Sequence, residues 1–446
     1  MATFERRPLR EVLGDRGYIR GPFGSALVRG ELLDRGVPVY EQQHAIAGTR
    51  KFRFHISEAK LKELSRFQVR PDDLIISCSG TVGRISVIQP QDPMGIISQA
   101  LLLLRPQVDR IFPKFLYYCL MTHEGQEALI NASHGSVQVN IAPRAVVEQI
   151  ELPVPTIPEQ RAIAHILGTL DDKIELNRRM NETLEAVARA LFKAWFVDFE
   201  PVRAKGEGRD TGLPPHIADL FPDSFEDSAL GKIPKGWGVG RLNDFLSELV
   251  SGARPKGGAV GEGVPSIGAE NVRGLGEYDF SKEKFVPRDF YEQLKLRGAA
   301  VRRGDVLLYK DGAQIGRKTY FDGGFPHAEC AINEHAFILR TTAPEAQLFL
   351  YFWLDQDWMT HEIIALNSNS AQPGINQPGV RGLPILFPGD EAINAFGEVV
   401  TALISRLFAN CIESRKLAAL RDALLPKLIS GELRIRDAKG LVEEEL

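Results

Sequence analysis

Cysteine is scarce in this chain, and what little there is stands apart. Cys78, Cys119, Cys330 and Cys411 form no Cys-x-x-Cys pair in 446 residues. Neither a disulfide framework nor a thiolate zinc site is suggested, and a reducing compartment is expected. The nine histidines hold no His-x-x-x-His pair of the kind that binds zinc on a helix. No Gly-x-x-x-x-Gly-Lys-Ser/Thr loop occurs, which argues against ATP hydrolysis through a P-loop. No Asn/Asp-Pro-Pro-Tyr/Phe tetrapeptide occurs either, so a self-contained aminomethyltransferase is not expected. Glu58-Ala59-Lys60 could close a nuclease signature, but Pro71-Asp72 follows it rather than preceding it, and a helix surface is the better reading.

Long apolar runs are also missing. The Leu101–Leu104 stretch is far too short to span a bilayer. The opening Met1-Ala2-Thr3-Phe4-Glu5-Arg6-Arg7 lacks the apolar segment of a signal peptide, so a cytoplasmic protein with no membrane contact is expected. Nor is there a basic excess: net charge is −4 and the pI is near 6.2. A domain that binds nucleic acid unaided usually carries a basic face. Residues 1–155 hold 19 Lys+Arg against 16 Asp+Glu, or +3, which leaves −7 for the remainder. Any DNA contact must therefore use local patches or charge lent by a partner.

What the chain does have is an internal repeat at a spacing of about 233 residues. Phe115-Leu116-Tyr117-Tyr118 returns as Phe349-Leu350-Tyr351-Phe352, and Glu151-Leu152-Pro153-Val154-Pro155 as Pro384-Ile385-Leu386-Phe387-Pro388. Each of the latter leads into a long helical pattern. This repeat is too long for a solenoid unit. It is a duplicated module of one globular domain and one helix. Length alone allows two or three domains, and 44% hydrophobic with 25% charged residues is ordinary for globular ones.

The first helical pattern steps by four and three through Ile163, Leu167, Leu170, Ile174, Asn177, Asn181, Leu184, Ala188, Leu191 and Trp195, a coiled-coil seam with a polar notch. Shifted by 233, the seam becomes Phe396, Val400, Leu403, Leu407, Asn410, Ser414, Leu417, Arg421, Leu424 and Leu428. Only Arg421 fits poorly, and its aliphatic stem can lie along an apolar seam. Two matching seams are buried most economically against each other; the competing arrangement lays each helix on its own domain. At about 1.5 Å per residue the first seam runs for roughly 48 Å. That is somewhat more than a B-DNA turn of about 34 Å, so the geometry is that of a spacer. Thr156 or Ile157 caps the first helix, and Pro426 is expected to kink or end the second near Leu425.

The organisation that follows is a first globular domain over 1–155 and a helix over 156–200. A patchily ordered linker over 201–235 leads to a second globular domain over 236–388, a helix over 389–430 and a solvated tail over 431–446. The domains are α/β (α+β), strand-rich and weakly similar in their loops. Small-residue loops follow the short β-rich runs Asp72–Ser77 and Gly304–Tyr309, and Gly/Pro turns surround Gly21–Ser25 and Ser251–Lys256.

The residues Leu152-Pro153-Val154-Pro155-Thr156-Ile157-Pro158-Glu159-Gln160-Arg161 and Ala190-Leu191-Phe192-Lys193-Ala194-Trp195-Phe196-Val197-Asp198-Phe199-Glu200-Pro201 resemble the central helix of specificity subunits of type I restriction–modification systems. Leu230-Gly231-Lys232-Ile233-Pro234-Lys235-Gly236-Trp237 looks like that family's approach to its second recognition domain. The second helix, approached through Pro388-Gly389-Asp390-Glu391, matches less faithfully. The resemblance implies a non-catalytic subunit with two target recognition domains. Each would read one part of a bipartite, asymmetric site on double-stranded DNA. An antiparallel helix pair with pseudo-twofold symmetry would set the gap and dock methyltransferase subunits, two by analogy. Restriction/translocase subunits would complete the complex. No cofactor or metal is expected in this chain; S-adenosylmethionine, ATP and Mg²⁺ belong on the partners. The alternatives are a stand-alone two-headed scaffold for a non-DNA ligand, and an enzyme with an unrecognised active site.

Base edges are read by Arg/Lys at guanine and Asn/Gln at adenine. This points to Thr81, Arg84, Gln138 and Asn140 in the first domain, and to Lys310, Gln314, Arg317, Lys318, Gln372 and Asn376 in the second. Arg84 and Arg317 are equally able to touch phosphate, and Asn140 and Asn376 to cap turns.

Overall fold

In a computed structural model of the chain, residues 4–23, 27–130, 140–367 and 374–445 are described. The repeat is structural down to strand order. The first domain has a four-stranded antiparallel sheet in the order Leu13–Arg20, Leu101–Pro106, Leu74–Ser77, Ile85–Val87. The second repeats it as Leu246–Ser251, Ala336–Thr341, Val306–Tyr309, Lys318–Tyr320. The central strands are largely apolar because both faces are covered: Leu74, Ile75 and Ile76 are fully buried, as are Val306, Leu307 and Leu308. A three-stranded sheet accompanies each, centred on Val37–Tyr40 and on Val264–Ile267. Both centres pair antiparallel with one neighbour and parallel with the other. A two-stranded ribbon closes each domain, pairing Arg6–Pro8 with Glu151–Pro153 and Gly238–Arg241 with Pro384–Phe387.

The same buried ion pair recurs in both sheets. Arg105 clasps Asp73 through Nε (2.8 Å) and Nη2 (2.7 Å), and Arg340 clasps Asp305 through the same atoms at 2.6 and 2.7 Å. Each carboxylate also accepts the backbone N–H three residues earlier, from Arg70 or Arg302, at 2.7 Å. Burial pushes both carboxyls up, against the pull of their arginines.

The two long helices are Ile157–Phe196 and Asp390–Ser430. Thr156 starts the first: its N–H and hydroxyl both donate to Glu159 Oε2, at 3.0 and 2.7 Å, half of a capping box. None of the twenty seam positions is exposed. The chain divides into two compact units, 1–173 with 417–446, and 174–416, so each unit holds one globular domain and part of both helices. The divisions fall inside the helices rather than at the domain boundaries expected from sequence.

Within the second unit the helices run antiparallel. Asn177 Nδ2 donates to Ser414 Oγ (3.3 Å) and to Glu413 Oε2 (2.7 Å), while Asn410 Nδ2 donates to Asn181 Oδ1 (2.9 Å). Shifting by 233 turns the 177–414 pair into 410–181, so the notch maps onto itself, as a twofold requires. Towards the C-terminal end of the first helix, Phe192 and Trp195 meet Phe396 at ring separations of 5.5 and 6.0 Å. Within the first unit, Arg421 Nη1 donates to Asp171 Oδ1 at 2.8 Å. The poor seam residue of the second helix is thus one half of an ion pair.

Some expectations fail. The second helix continues through Pro426 to Ser430. Pro426 lies in the last turns, where one backbone hydrogen bond is lost, while Leu424, Leu425, Leu428 and Ile429 are buried around it. The same helix has an 18-residue window of mean hydropathy 1.4, apolar and long enough to cross a membrane by composition alone. Its stripe is wider than a seam because Ile404 and Phe408 are buried beside Val400 and Leu407 in the second unit's core. The segment read as a solvated tail contains a helix, Ile435–Glu443, with Ala438 and Val442 buried, while most of its other residues, Glu443–Glu445 among them, stand exposed. The linker is built rather than patchy. It forms helices at Glu200–Gly206 and Pro215–Ala218 and a hairpin pairing Phe225–Ser228 with Gly231–Pro234, and Val202, Phe221, Ile233 and Trp237 join the core.

Arg105→Met leaves Asp73 buried and uncompensated, and the expected loss is about 3–5 kcal/mol, read as a lowered unfolding transition. Pairing it with Asp73→Leu is expected to recover most of that loss. Equal stabilities for Arg105→Met and the parent would contradict a structural role for the pair.

Candidate nucleic-acid interface

In the first domain Ser77, fully buried, ties the following loop into a lasso. Its hydroxyl donates to Thr81 O (2.6 Å) and accepts from Arg84 N (3.0 Å), while Gly83 N donates to Ser77 O (2.9 Å). Gly83 sits at φ +81°, where a Cβ would also meet Gln126 Oε1 at 2.9 Å. The lasso leaves the side chains of Thr81 and Arg84 exposed, and the Arg84 guanidinium has no hydrogen bond or ion pair among the described residues. Asn140, also exposed, bridges Ser79 antiparallel. Gln42 reaches the same loop, donating to Ser79 Oγ at 3.2 Å. Gln138 lies outside the described residues.

The second domain repeats this plan with other side chains. The turn after Val306–Tyr309 is closed by Tyr309 N to Arg317 O (2.8 Å) and Gly316 N to Tyr309 O (3.1 Å). Asp311 bridges Gly374 as Ser79 bridges Asn140. Five backbone segments therefore converge at this end of the domain, from the turns near 251, 269, 311, 333 and 374. Lys310 donates to Ser251 Oγ (3.5 Å) and to His335 through its positioned backbone: Lys310 N bonds His335 O at 3.0 Å.

The side-chain assignments made from sequence separate here. Lys310 and Gln314 are half-buried, with the Lys310 ammonium 4.8 Å from the Phe337 ring centre. Arg317 is a brace: its Nη1 donates to Ala269 O (3.0 Å) and Val272 O (2.9 Å). Asn376 caps a helix, its Oδ1 accepting from Gly379 N at 2.8 Å, which leaves its exposed amide nitrogen. Gln372 lies outside the described residues. Lys318 is the clear correction. It is buried, donates to Thr360 Oγ1 at 2.7 Å and pairs with Asp355 at 3.7 Å. Burial lowers its pKa, and no surface is left for a ligand. Lys318 stands on a strand whose alternation turns it inward, while its neighbour Arg317 ends the loop.

Sequence reading passed over two features. Phe23 is 56% exposed, with Arg20 over its ring at 5.9 Å, in the Gly/Pro turn that begins at Gly21. In the second domain, His335 Nδ1 lies 3.1 Å from Asp311 Oδ2, joining the 333–335 turn to the candidate loop. Glu58-Ala59-Lys60 is a helix surface, as read, with Lys60 paired to Glu31 and Glu63. No group of three His, Cys, Asp or Glu suited to a metal is found among the described residues. All four cysteines are buried and unpaired, and burial pushes the thiols of Cys78, Cys330 and Cys411 up to about 12.

Comparison with known proteins adds a consistent set of likenesses. Residues 29–186 match the model of the type I restriction modification DNA specificity domain family. The chain is 26% identical over 383 residues to the type I restriction enzyme HindI specificity subunit of Haemophilus influenzae, covering 76% of this chain and 81% of that protein. It is likewise 26% identical over 389 residues to the MjaIX specificity subunit of Methanocaldococcus jannaschii, covering 86% and 82%. In fold it is similar to the crystal structure of a type I restriction-modification system S subunit from M. genitalium, with a TM-score of 0.57 and 16% identity over 96% of both chains.

These placements separate surface from core. Arg84→Gln is expected to leave the melting temperature unchanged and to lower the salt dependence of duplex binding by about one charge. Lys318→Met is expected to cost about 1–3 kcal/mol of stability with that salt dependence unchanged. The reverse pattern would contradict the assignment.

Proposed function

We infer that this chain, which belongs to the specificity subunits of type I restriction–modification systems, recognises a split DNA site, one part with each globular domain. The observation that carries this is the repeat itself: one strand order twice, with matching loop bridges at Ser79–Asn140 and Asp311–Gly374 but unrelated side chains on the loops. A shared frame with divergent loops suits two different half-sites. The candidate contacts that remain are Thr81, Arg84 and Asn140 in the first domain and Lys310, Gln314 and the free amide nitrogen of Asn376 in the second. Their modest charge is in keeping with a subunit that shares phosphate contacts with partners.

The paired helices act as the ruler, and their polar notch fixes its register. Their outer faces supply the docking surface for methyltransferase subunits, two by the symmetry of the repeat; Leu176 is 52% exposed, and Val187 and Val399 are also exposed. Restriction/translocase subunits join through that core complex. This chain performs no chemistry in this reading. S-adenosylmethionine serves the methyltransferase subunits, and ATP with Mg²⁺ the translocase, in the cytoplasm.

Because Asp171 lies opposite Arg421 and Asn177 opposite Ser414, the matched one-heptad deletion is 171–177 with 414–420. Each helix then shortens by about 10 Å, close to three base pairs. The complex with methyltransferase subunits is expected to modify the same two half-sequences with the gap reduced by about three base pairs. Altered half-sequences at the original spacing would refute the ruler.

A further inference from the structure

The second domain contains a cavity of about 340 Å³ that none of the candidate contacts named above lines. It adjoins the reading end, since its rim residue His335 is joined to Asp311 and to the backbone of Lys310. Two of its charged groups neutralise each other, Lys284 donating to Glu270 at 2.6 Å. An amide and a carboxylate, Asn333 and Glu334, keep hydrogen-bonding capacity to spare. Asn333 Oδ1 accepts from His335 N at 3.1 Å, which fixes the amide and leaves Nδ2 as a free donor. Glu334 Oε1 is loosely ion-paired with His335 Nε2 at 3.5 Å and Arg254 Nη1 at 3.8 Å, and among the described residues nothing approaches Oε2, which is left as an open acceptor. Gly268 makes the floor possible: a Cβ there would meet Glu270 Oε2 at 2.6 Å and Asn333 Nδ2 at 2.8 Å.

A positioned donor beside an acceptor-only carboxylate selects its ligand. In the major groove adenine offers N7 as acceptor and N6 as donor, and cytosine offers the N4 donor. Guanine and thymine turn a carbonyl oxygen toward the same place, which a carboxylate repels. We propose that this cavity receives the major-groove edge of a base bearing an exocyclic amino group, adenine or cytosine, in the second half-site. Glu334 accepts from the amino group, and Asn333 donates to the adenine ring nitrogen where that base is present. The assignment rests on the DNA-reading function inferred above and adds a rule of exclusion: the site rejects guanine and thymine by repulsion as much as it attracts its own base.

The test uses the full chain in complex with its methyltransferase subunits and duplexes in which each position of the bipartite site is changed in turn. Glu334→Gln replaces an acceptor-only group with an amide that both donates and accepts. It is expected to reduce discrimination against guanine or thymine about tenfold at one position of the second half-site, with the first half-site unaffected. Asn333→Asp keeps the acceptor for His335 N but removes the donor. It weakens binding if the base is adenine and spares it if the base is cytosine, which identifies the base. Unchanged discrimination at every position in Glu334→Gln overturns the cavity assignment while leaving DNA reading intact. A parent complex that prefers no duplex overturns both.

Discussion

Two side-chain contacts, Asn177 with Ser414 and Asn410 with Asn181, are the constraint on which the remainder of the structure depends. A helix of forty residues with one apolar stripe has to cover that stripe, and a second helix with the same stripe can do so in several registers. Leucine at all four notch positions would bury more apolar surface and permit sliding by whole heptads. The amides cost stability, since Asn177 Oδ1 and Asn410 Oδ1 are both buried with no hydrogen-bond partner among the described residues. What they supply is a single register, because a shift by one heptad would set Asn181 against Leu403 or Leu417 and Asn410 against Ile174 or Ala188, none of which can hydrogen-bond through its side chain. For a spacer, register is length, and length is the quantity the function requires.

The domains show the same separation of frame from reading surface. Asp73–Arg105 and Asp305–Arg340 occupy one place in two sheets, pinning a central strand to its neighbour from inside. The loops that those strands carry share backbone bridges and little else. A backbone bridge fixes where a loop sits without prescribing what it presents, so side chains there are free to differ. The second domain uses that freedom in two ways, with half-buried Lys310 and Gln314 on one loop and a cavity of mixed polarity beside it. With a net charge of −4, the chain has little bulk attraction for phosphate to offer.

The sequence was legible where a periodic rule governs it. The helix seams follow a heptad, and each of their positions is buried or half-buried, including Arg421, whose pairing with Asp171 needed coordinates. Strand pairs at Leu74–Ser77 and Val306–Tyr309 were visible as apolar runs after turns. Loops obey no such period. Arg317 and Lys318 are adjacent in sequence, yet one braces two carbonyls and the other is buried against Asp355, because the strand begins between them. Of the two outcomes expected at Pro426, an end near Leu425 is excluded, because Leu424, Leu425, Leu428 and Ile429 are buried on either side and the helix runs on to Ser430. The linker and the last helix were hidden for a related reason: short amphipathic pieces such as Ile435–Glu443 fold on a surface that their own sequence does not show. The cavity around Asn333 and Glu334 was invisible because it draws on the turns near 253, 270 and 333 and on the strand at Lys284, which chain distance does not bring together.

The central claim is that two different heads share one site at a separation fixed by the helices. Mapping every methylated base in cells that carry this chain, and in the same cells with it deleted, tests that claim most directly. The account predicts one motif of two dissimilar constant blocks flanking a non-specific gap of fixed length, lost entirely on deletion. An uninterrupted motif, or a methylation pattern unchanged by deletion, would contradict it.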